Sequence, residues 1–376
     1  MPGLAETFSI YLGDYGVKAF AILLLLINLR EIGELFKHSK IRSIIVVVLL
    51  LFVFRSFHAT SAAKQQLLPL ISLLWLIIIY LSVKTDKHFK IFVFCLYVSA
   101  CIVLLSPGLE RIFDFSRIGY TESRSEVSLI GIAKHYIIYA QMAIISMYLS
   151  LFYLIKSKSF GSKILFAIFL IISLVAIISS GSRGAIIAML MSVGYLILKN
   201  KKTKSNNKFK FIILILISLS ILFSFIPIDT ILSYFNVIGT KRDNSSLNRM
   251  YLFYLSLESF YSAPLFGNGW DYIRLISGSP SHTLFFQLLA ELGLLGLILE
   301  CLVYYKLFSL FRSIKPQLII NDSLYYTNIL LGMLFALGSW SLFENLGFVF
   351  GTRQLYVIAA LIMCFYKINC INKIRQ

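Results

Sequence analysis

One candidate for chemistry is the stretch Ser179–Gly184, where Arg183 lies among serines and glycines between two hydrophobic runs. Placing an arginine at the edge of the hydrocarbon costs free energy, up to about 2.5–3.5 kcal/mol at mid-bilayer. The small residues around Arg183 allow backbones to approach closely and leave room for a ligand. Two interpretations stay open: a ligand-binding arginine, or an arginine whose long side chain reaches water and keeps a tight turn at the surface.

A second candidate is Arg249, which lies in the longest polar connection of the chain. The residues before it predict an amphipathic helix that is capped at its N-terminus by Ser245 or Ser246. We expect that helix to run to Phe260 before Pro264–Trp270 breaks it. A cation near a helix N-terminus is disfavoured by the helix dipole, so an anionic ligand is a natural partner for Arg249. The alternative is an exposed loop arginine.

A third candidate is formed by His282 and Glu291, at the end of that connection and in the apolar run that follows. Glu291 lies about 2.5 helical turns after His282, on roughly the opposite face, so the two side chains need not touch. A carboxylate within an apolar helix must find a partner, which makes Glu291 a candidate for function. The alternatives are a structural histidine at a boundary and a carboxylate that serves only helix packing.

Other kinds of site are excluded by missing motifs. The sequence contains no P-loop, HExxH, GxSxG, dinucleotide-binding fingerprint or Asp-x-Asp pair, so neither a nucleotide-sugar donor nor ATP coupling is indicated. We expect no cofactor and no metal. The cysteines show no metal-ligand spacing and are expected to pack as small apolar residues without disulfides: Cys95, Cys101, Cys301, Cys364 and Cys370.

The elements that must position these residues are membrane-spanning helices. Of 376 residues, 59% are hydrophobic and only 14% are charged, whereas soluble domains are about 25% charged. A helix needs about 20 mostly apolar residues to span a bilayer. On that rule the spans are expected near Ser9–Leu29, Ile41–Phe57, Gln66–Val83, Phe89–Ser106, Ile130–Ile155, Ile164–Ser180, Ala185–Leu198, Phe211–Ile228, Thr283–Phe308, Tyr325–Phe343 and Gln354–Ile368. The predicted fold is an all-α polytopic membrane protein with about 11–12 transmembrane helices.

The charge pattern predicts how these helices are oriented. The net charge of +18 comes from Lys and Arg in every second connection, for example Lys84, Lys87 and Lys90, which is typical of cytoplasmic loops and not of nucleic-acid binding. The candidate residues then face the opposite side. We expect one integral-membrane domain over residues 1–376, with a large periplasmic loop containing short helices at 229–282. We also expect an N-terminus that is outside the cytoplasm and is not a cleavable signal.

The three stretches appear together in an order that resembles the O-antigen ligase and O-antigen polymerase superfamily of bacterial envelopes. The resemblance rests on the Ser182-Arg183-Gly184 turn, on Arg249 followed by Ala263–Gly269, and on Ser281-His282 followed by Glu291–Gly296. It implies an inner-membrane glycosyltransferase that uses an undecaprenyl-diphosphate-linked oligosaccharide on the periplasmic face. Such enzymes invert the anomeric centre and need neither nucleotide nor metal. The family commonly has about twelve spans with both ends in the cytoplasm, which departs from the charge pattern here.

The resemblance also implies roles for individual residues. Arg183 and Arg249 match the arginines that bind the donor diphosphate, and His282 matches the histidine near the acceptor. Arginines placed where charge develops on the leaving diphosphate would stabilise the transition state. The His282 imidazole is suited to take the proton from the attacking hydroxyl, although three carboxylates compete with it for that role. The competitors are Glu258, Asp271 and Glu291, and the further substrate-binding candidates are Arg242, Arg274 and Glu291.

Two activities of this family, and one unrelated function, stay open. A polymerase transfers the growing glycan to the next lipid-linked repeat unit, and we favour this reading because the chain is compact and its outer loops are modest. A ligase transfers the glycan to the lipid A core. A transporter of lipid-linked oligosaccharide is the alternative of another class, although repeated halves, which are typical of transporters, are not visible. Membrane lipid and a chain-length regulator protein are the other partners considered, without nucleic acid.

Overall fold

The fold is known from a computed structural model, which describes residues 32–57, 63–105, 136–180, 182–199, 243–279, 283–313, 323–341, 347 and 352–374. Within these residues the regular secondary structure is entirely helical. Among them, the helices long and apolar enough to cross a membrane are Asp86–Leu105, Ile137–Lys156, Phe160–Ser179 and Leu284–Ser313. Shorter apolar helical segments occur at Ser72–Ser82, Gly184–Leu196 and Gln354–Asn369. The predicted all-α polytopic membrane fold is thus confirmed.

The described helices follow one another along the chain with mostly short connections. They are α1 (Ile32–Lys37), α2 (Ser39–Phe57), α3 (Ala63–Ser82), α4 (Asp86–Leu105), α5 (Tyr136–Lys156), α6 (Phe160–Ser179), α7 (Arg183–Lys199), α8 (Asp243–Ser262), α9 (Tyr272–Ser277), α10 (Leu284–Ser313), α11 (Ser323–Trp340) and α12 (Arg353–Ile374).

Each predicted span that falls in the described residues is helical there, with ends displaced by a few residues. The predicted spans Ser9–Leu29 and Phe211–Ile228 lie outside the described residues, so the total of about 11–12 spans stays a prediction. The orientation of the helices and the single domain over residues 1–376 also stay predictions. The agreement follows from the length rule, since a run of about 20 apolar residues has few alternatives to a helix in lipid.

The described helices fall into two compact units, of which the first contains α1–α3, α9, α10 and α12. Within it, α10 packs along α2, and α12 packs along α3 and α10. The Lys367 ammonium of α12 is buried and donates to the Tyr80 carbonyl oxygen at 2.7 Å. That ammonium also lies 4.3 Å from the Tyr80 ring centroid, so both contacts compensate for burying the charge.

The second unit contains α5, α6, α7 and α11 with most of α4. Here α5 packs along α6, and buried hydroxyls bond between neighbouring helices. Ser173 Oγ donates to Ser146 Oγ at 2.9 Å, and Ser150 Oγ donates to the Tyr97 hydroxyl at 3.1 Å. Small hydroxylated residues of this kind let membrane helices approach closely and satisfy their polar groups inside the bundle. Between α7 and α11, the Tyr195 and Phe335 rings stack with their centroids 4.5 Å apart.

Helix α8 differs from its prediction at its N-terminal end. The helix begins at Asp243, so Ser245 and Ser246 lie inside its first turn and the predicted serine caps are wrong. The sequence Asp-Asn-Ser-Ser offers several capping residues in succession, and the local pattern does not choose between them. The buried side of α8 carries Leu252, Ser256 and Ser259, whereas Tyr254, Glu258 and Tyr261 are exposed.

Candidate functional site

The predicted site residues are distributed over α7–α10. Arg183 is the first residue of α7, and Arg249 lies near the end of the second turn of α8. Arg274 lies in α9 and is exposed, whereas Glu291 is fully buried in α10. Arg242 and His282 lie outside the described residues. The predicted juxtaposition of Arg183, Arg249 and His282 therefore stays a prediction.

The turn before α7 is built from serines whose hydroxyls bond to the ends of two helices. Ser180 Oγ donates to the Ile177 carbonyl at the end of α6, at 2.6 Å. Ser182 Oγ accepts from the Ala185 N–H at 3.3 Å, which caps the start of α7. Both serines are buried. These bonds give the serines a structural role and place Arg183 at the first position of the helix that they cap.

Arg249 and Arg183 lie at different distances from the N-terminal ends of their helices. Because α8 begins at Asp243, Arg249 lies beyond the first turn, where the dipole of a helix has little effect. The expectation that Arg249 sits at a helix N-terminus is therefore wrong. Arg183 does occupy such a position in α7.

The end of the long connection is joined to a break in α10 by backbone hydrogen bonds. At Gly293 the backbone leaves helical geometry, with φ 63° and ψ −164°. The Leu294 and Leu295 N–H groups donate to the Pro264 and Leu265 carbonyls at 2.9 and 3.2 Å. In return, the Ala290 and Glu291 carbonyls accept from the Asn268 and Gly269 N–H groups at 3.0 and 2.9 Å. In an unbroken α10 the same four groups would pair with one another in only two bonds, and here each of them bonds to the loop instead.

Two glycines make this pairing sterically possible. A Cβ on Gly267 would collide with the backbone of Glu291 and Leu292, and a Cβ on Gly293 would collide with the backbone of Leu265 and Gly267. Both glycines also have positive φ, 74° and 63°, which side chains disfavour. Non-helical backbone is tolerated at membrane depth only where protein satisfies its polar groups, and the loop does this for α10.

The backbone pairing of residues 264–269 with the break in α10 is called the loop–helix junction. The Asn268 side chain adds further hydrogen bonds to it. Its amide nitrogen donates to the Ala290 carbonyl at 3.1 Å and also to the Ser259 carbonyl of α8. Its amide oxygen accepts from the Ser262 hydroxyl at 3.0 Å. The asparagine therefore joins α8, the loop and α10 at one point.

Glu291 is the buried carboxylate of this junction. Its Oε2 accepts from the Asp271 N–H at 3.0 Å, and its Oε1 accepts from Gln287 Nε2 at 3.0 Å. The sequence-based requirement for a partner is thus met by a loop amide and by a neighbour one turn earlier on α10. The Arg55 guanidinium of α2 is close enough to interact electrostatically with Glu291 and Asp271.

Arg55, Trp270, Asp271, Arg274 and Glu291 form one cluster of charged and aromatic residues. Of these, Arg55 and Trp270 were missed in the sequence analysis. The Arg55 guanidinium lies 3.9 Å from the Trp270 ring centroid, and both side chains are buried. Such a contact contributes about 2 kcal/mol when it is desolvated. The available signal was a single arginine at the end of an otherwise apolar span, which must be satisfied inside the protein or reach the surface.

Asp271 and Arg274 form the outer edge of the cluster. Burial raises the pKa of the Asp271 carboxyl, and the nearby Arg274 and Arg55 cations oppose that change. Glu258, the other carboxylate considered as a base, is exposed on α8. Within the described residues, no group of His, Cys, Asp and Glu is arranged to hold a metal ion. In this cluster the exposed cation is Arg274, and the acidic groups Asp271 and Glu291 are buried.

The part of the chain that contains these features is similar to a known protein family. Residues 166–301 match the family model described as O-antigen ligase. The match begins within α6 and ends within α10, so it includes Arg183, Arg249, His282 and the whole loop–helix junction. No curated protein matches the chain. The resemblance seen in the motifs is therefore confirmed for residues 166–301, which are similar to the O-antigen ligase family.

Proposed function

We propose that this protein polymerises lipid-linked O-antigen or related repeat units at the periplasmic face of the bacterial inner membrane. The donor is an oligosaccharide on undecaprenyl diphosphate, and the acceptor is a sugar hydroxyl of the next lipid-linked unit. The reaction inverts the anomeric centre and requires neither nucleotide nor metal.

The observation that carries this proposal is the extent of the family match. Residues 166–301 include the Arg183 turn, the Arg249 helix and the His282 segment together. The charge pattern of the chain assigns these polar segments to the same side of the membrane. A diphosphate donor needs cationic partners on that side, and arginine forks match phosphate oxygens in pairs.

The proposed reaction is a single displacement at the anomeric carbon. The acceptor hydroxyl attacks C1 of the donor sugar, its oxygen forms the new glycosidic bond, and the bond from C1 to the diphosphate oxygen breaks. Arg183 and Arg249 stabilise the charge that builds on the departing diphosphate. His282 takes the hydroxyl proton, for which a group with an ordinary pKa near 6.5 is suited.

Ligation is the second candidate, because the matching family model is itself described as O-antigen ligase. A ligase uses the same donor and the same arginines but transfers the glycan to the lipid A core. The two activities differ in the acceptor alone, so the products in cells distinguish them.

The test is a lipopolysaccharide ladder from cells lacking the gene, with wild type and an Arg183→Ala variant restored on a plasmid. Core carrying a single repeat unit identifies a polymerase. Core without any repeat, together with polymerised chains on undecaprenyl diphosphate, identifies a ligase and rejects polymerisation. An unchanged ladder contradicts both activities and favours a transporter or the synthesis of another polysaccharide.

A further inference from the structure

We propose that Glu291 is a positioning residue that orients Arg274 for binding the donor diphosphate. This inference rests on the proposed function, since it assigns Arg274 to the donor site. It assigns Glu291 no direct contact with the substrate.

The burial and bonding of Glu291 argue for an indirect role. The side chain has no exposed surface, and each carboxylate oxygen already accepts a hydrogen bond from the protein. A substrate hydroxyl has no access to these oxygens unless the junction opens. A carboxylate in this state can act on the reaction only through the groups that it holds.

The group held most directly is the backbone of Asp271. Asp271 adopts a left-handed conformation with φ 71° and is the residue immediately before α9. Among the described residues it is the only non-glycine with positive φ, a conformation that few residues with a Cβ adopt. The Asp271 N–H donates to Glu291, so the carboxylate stabilises the chain direction at the start of α9.

The residues near Asp271 in the sequence are also fixed by contacts with other helices. Trp270 lies against the Arg55 guanidinium of α2. Ile273 is fully buried and belongs to an apolar cluster with Leu252 and Ala290. Because the residues on both sides of Asp271 are held in place, the short helix α9, less than two turns long, has a defined direction.

Arg274 is the exposed residue whose direction is set by these contacts. It follows Ile273, is exposed where Ile273 is buried, and interacts electrostatically with Asp271. A guanidinium must be placed accurately to engage a diphosphate through paired hydrogen bonds. The loss of Glu291 is therefore expected to weaken donor binding while leaving the chemistry of the reaction intact.

The first experiment measures how often α9 opens locally, from the rate of trypsin cleavage of the purified full-length protein in detergent. Cleavage after Arg274, identified by mass spectrometry, is expected to be about tenfold faster in Glu291→Ala, because local opening governs the rate. Glu291→Gln keeps an oxygen acceptor for the Asp271 N–H and is expected to be nearly protected. Glu300→Gln is the matched control, since Glu300 is a buried acid on α10 whose carboxylate lies against Gly347. Equal cleavage in Glu291→Ala and wild type overturns the proposal.

The second experiment measures donor kinetics with purified undecaprenyl-diphosphate oligosaccharide. We expect Glu291→Ala to raise the apparent KM about tenfold with kcat changed less than about twofold. If Glu291→Ala does not fold, Glu291→Asp takes its place, because the shorter side chain moves the carboxylate away from the Asp271 N–H. The double variant with Arg274→Ala is expected to be no worse than Arg274→Ala alone.

The outcomes separate this inference from the proposed function. Additive KM effects would show that Glu291 acts independently of Arg274 and would overturn the inference. An unchanged KM in Arg274→Ala, with transfer still occurring, would also overturn it but would leave the glycosyltransferase proposal intact. If the wild-type protein transfers no glycan from this donor, the proposed function fails, and the inference fails with it even where Glu291 holds α9.

Discussion

Gly267 and Gly293 approach each other so closely that neither position has space for a Cβ atom. One lies in the loop before α9 and the other at the break in α10, and the backbone bonds between these segments surround them. The close approach explains why the Phe-Gly-Asn-Gly stretch and the Glu-Leu-Gly stretch occur together in this sequence. Each stretch supplies one side of a single junction.

Replacing either glycine is therefore expected to destabilise the protein. Gly293→Ala and Gly267→Ala add a clash with backbone to an unfavourable φ, which costs of the order of 1–3 kcal/mol. A lowered thermal unfolding midpoint in detergent would measure this effect. Gly194→Ala is the control, because a Cβ at Gly194 meets nothing within 4 Å. Equal thermal unfolding midpoints for all three variants would show that the close backbone approach at these two glycines does not contribute to stability.

The two arginines of the proposed donor site are expected to be essential for long-chain glycan. Arg183→Ala and Arg249→Ala should abolish it while the proteins still insert in the membrane, and lysine at either position should be impaired because it lacks the bidentate fork. Glycan ladders and membrane immunoblots measure the two properties. Arg312→Ala, an exposed arginine at the end of α10, is expected to keep full activity. Normal ladders from both alanine variants would reject the donor site.

The buried cation of α2 is expected to be coupled to the acid of α10. Arg55→Gln removes the buried cation that interacts with Glu291 and leaves Arg274 as the cation near Asp271. Removing one partner of a buried pair costs about 3 kcal/mol. Arg55→Gln combined with Glu291→Gln removes both charges and is expected to cost less than the sum of the single changes. A double-mutant cycle on unfolding midpoints measures the coupling. Strict additivity would show that the two charges do not interact.

Asp271 predicts a pH dependence of stability. Burial raises the pKa of its carboxyl above the ordinary value, so the folded protein retains the proton to higher pH than the unfolded chain does. Its contribution to stability is then fully present below the unfolded pKa, about 4, and is lost as pH rises through the folded value. Asp271→Asn removes this contribution, so the unfolding midpoint of the variant should rise relative to that of wild type as pH rises above about 4. A constant difference across that range would contradict the raised pKa.

The parts of the structure that could be predicted are those that depend on local composition. Apolar runs such as Phe89–Ser106 identified helices because lipid leaves the backbone few alternatives. Glu291 was recognised as a buried acid in need of a partner by the same reasoning. Its partner, the Asp271 N–H, could not be predicted, because the loop that contains Asp271 is separated from α10 in the sequence and contacts it only in the folded protein.

The parts that were missed depend on contacts between distant segments. The break at Gly293 has no local signal beyond one glycine, which helices often tolerate, and its cause lies in carbonyls of Pro264 and Leu265. Arg55 was read as part of an apolar span, since its partner Trp270 is more than two hundred residues away in the sequence. Tertiary pairing, and not propensity, decides both positions.

The junction at Gly293 constrains the length of the loop more than its composition. Register between the loop and α10 is set by backbone groups of Pro264, Leu265, Asn268 and Gly269, whereas the Leu265 side chain points outward and is exposed. Deleting or inserting one residue between Leu265 and Asn268 would move the donors away from their carbonyls. Variation in this segment should therefore exchange side chains freely at Leu265 yet keep the count of residues unchanged.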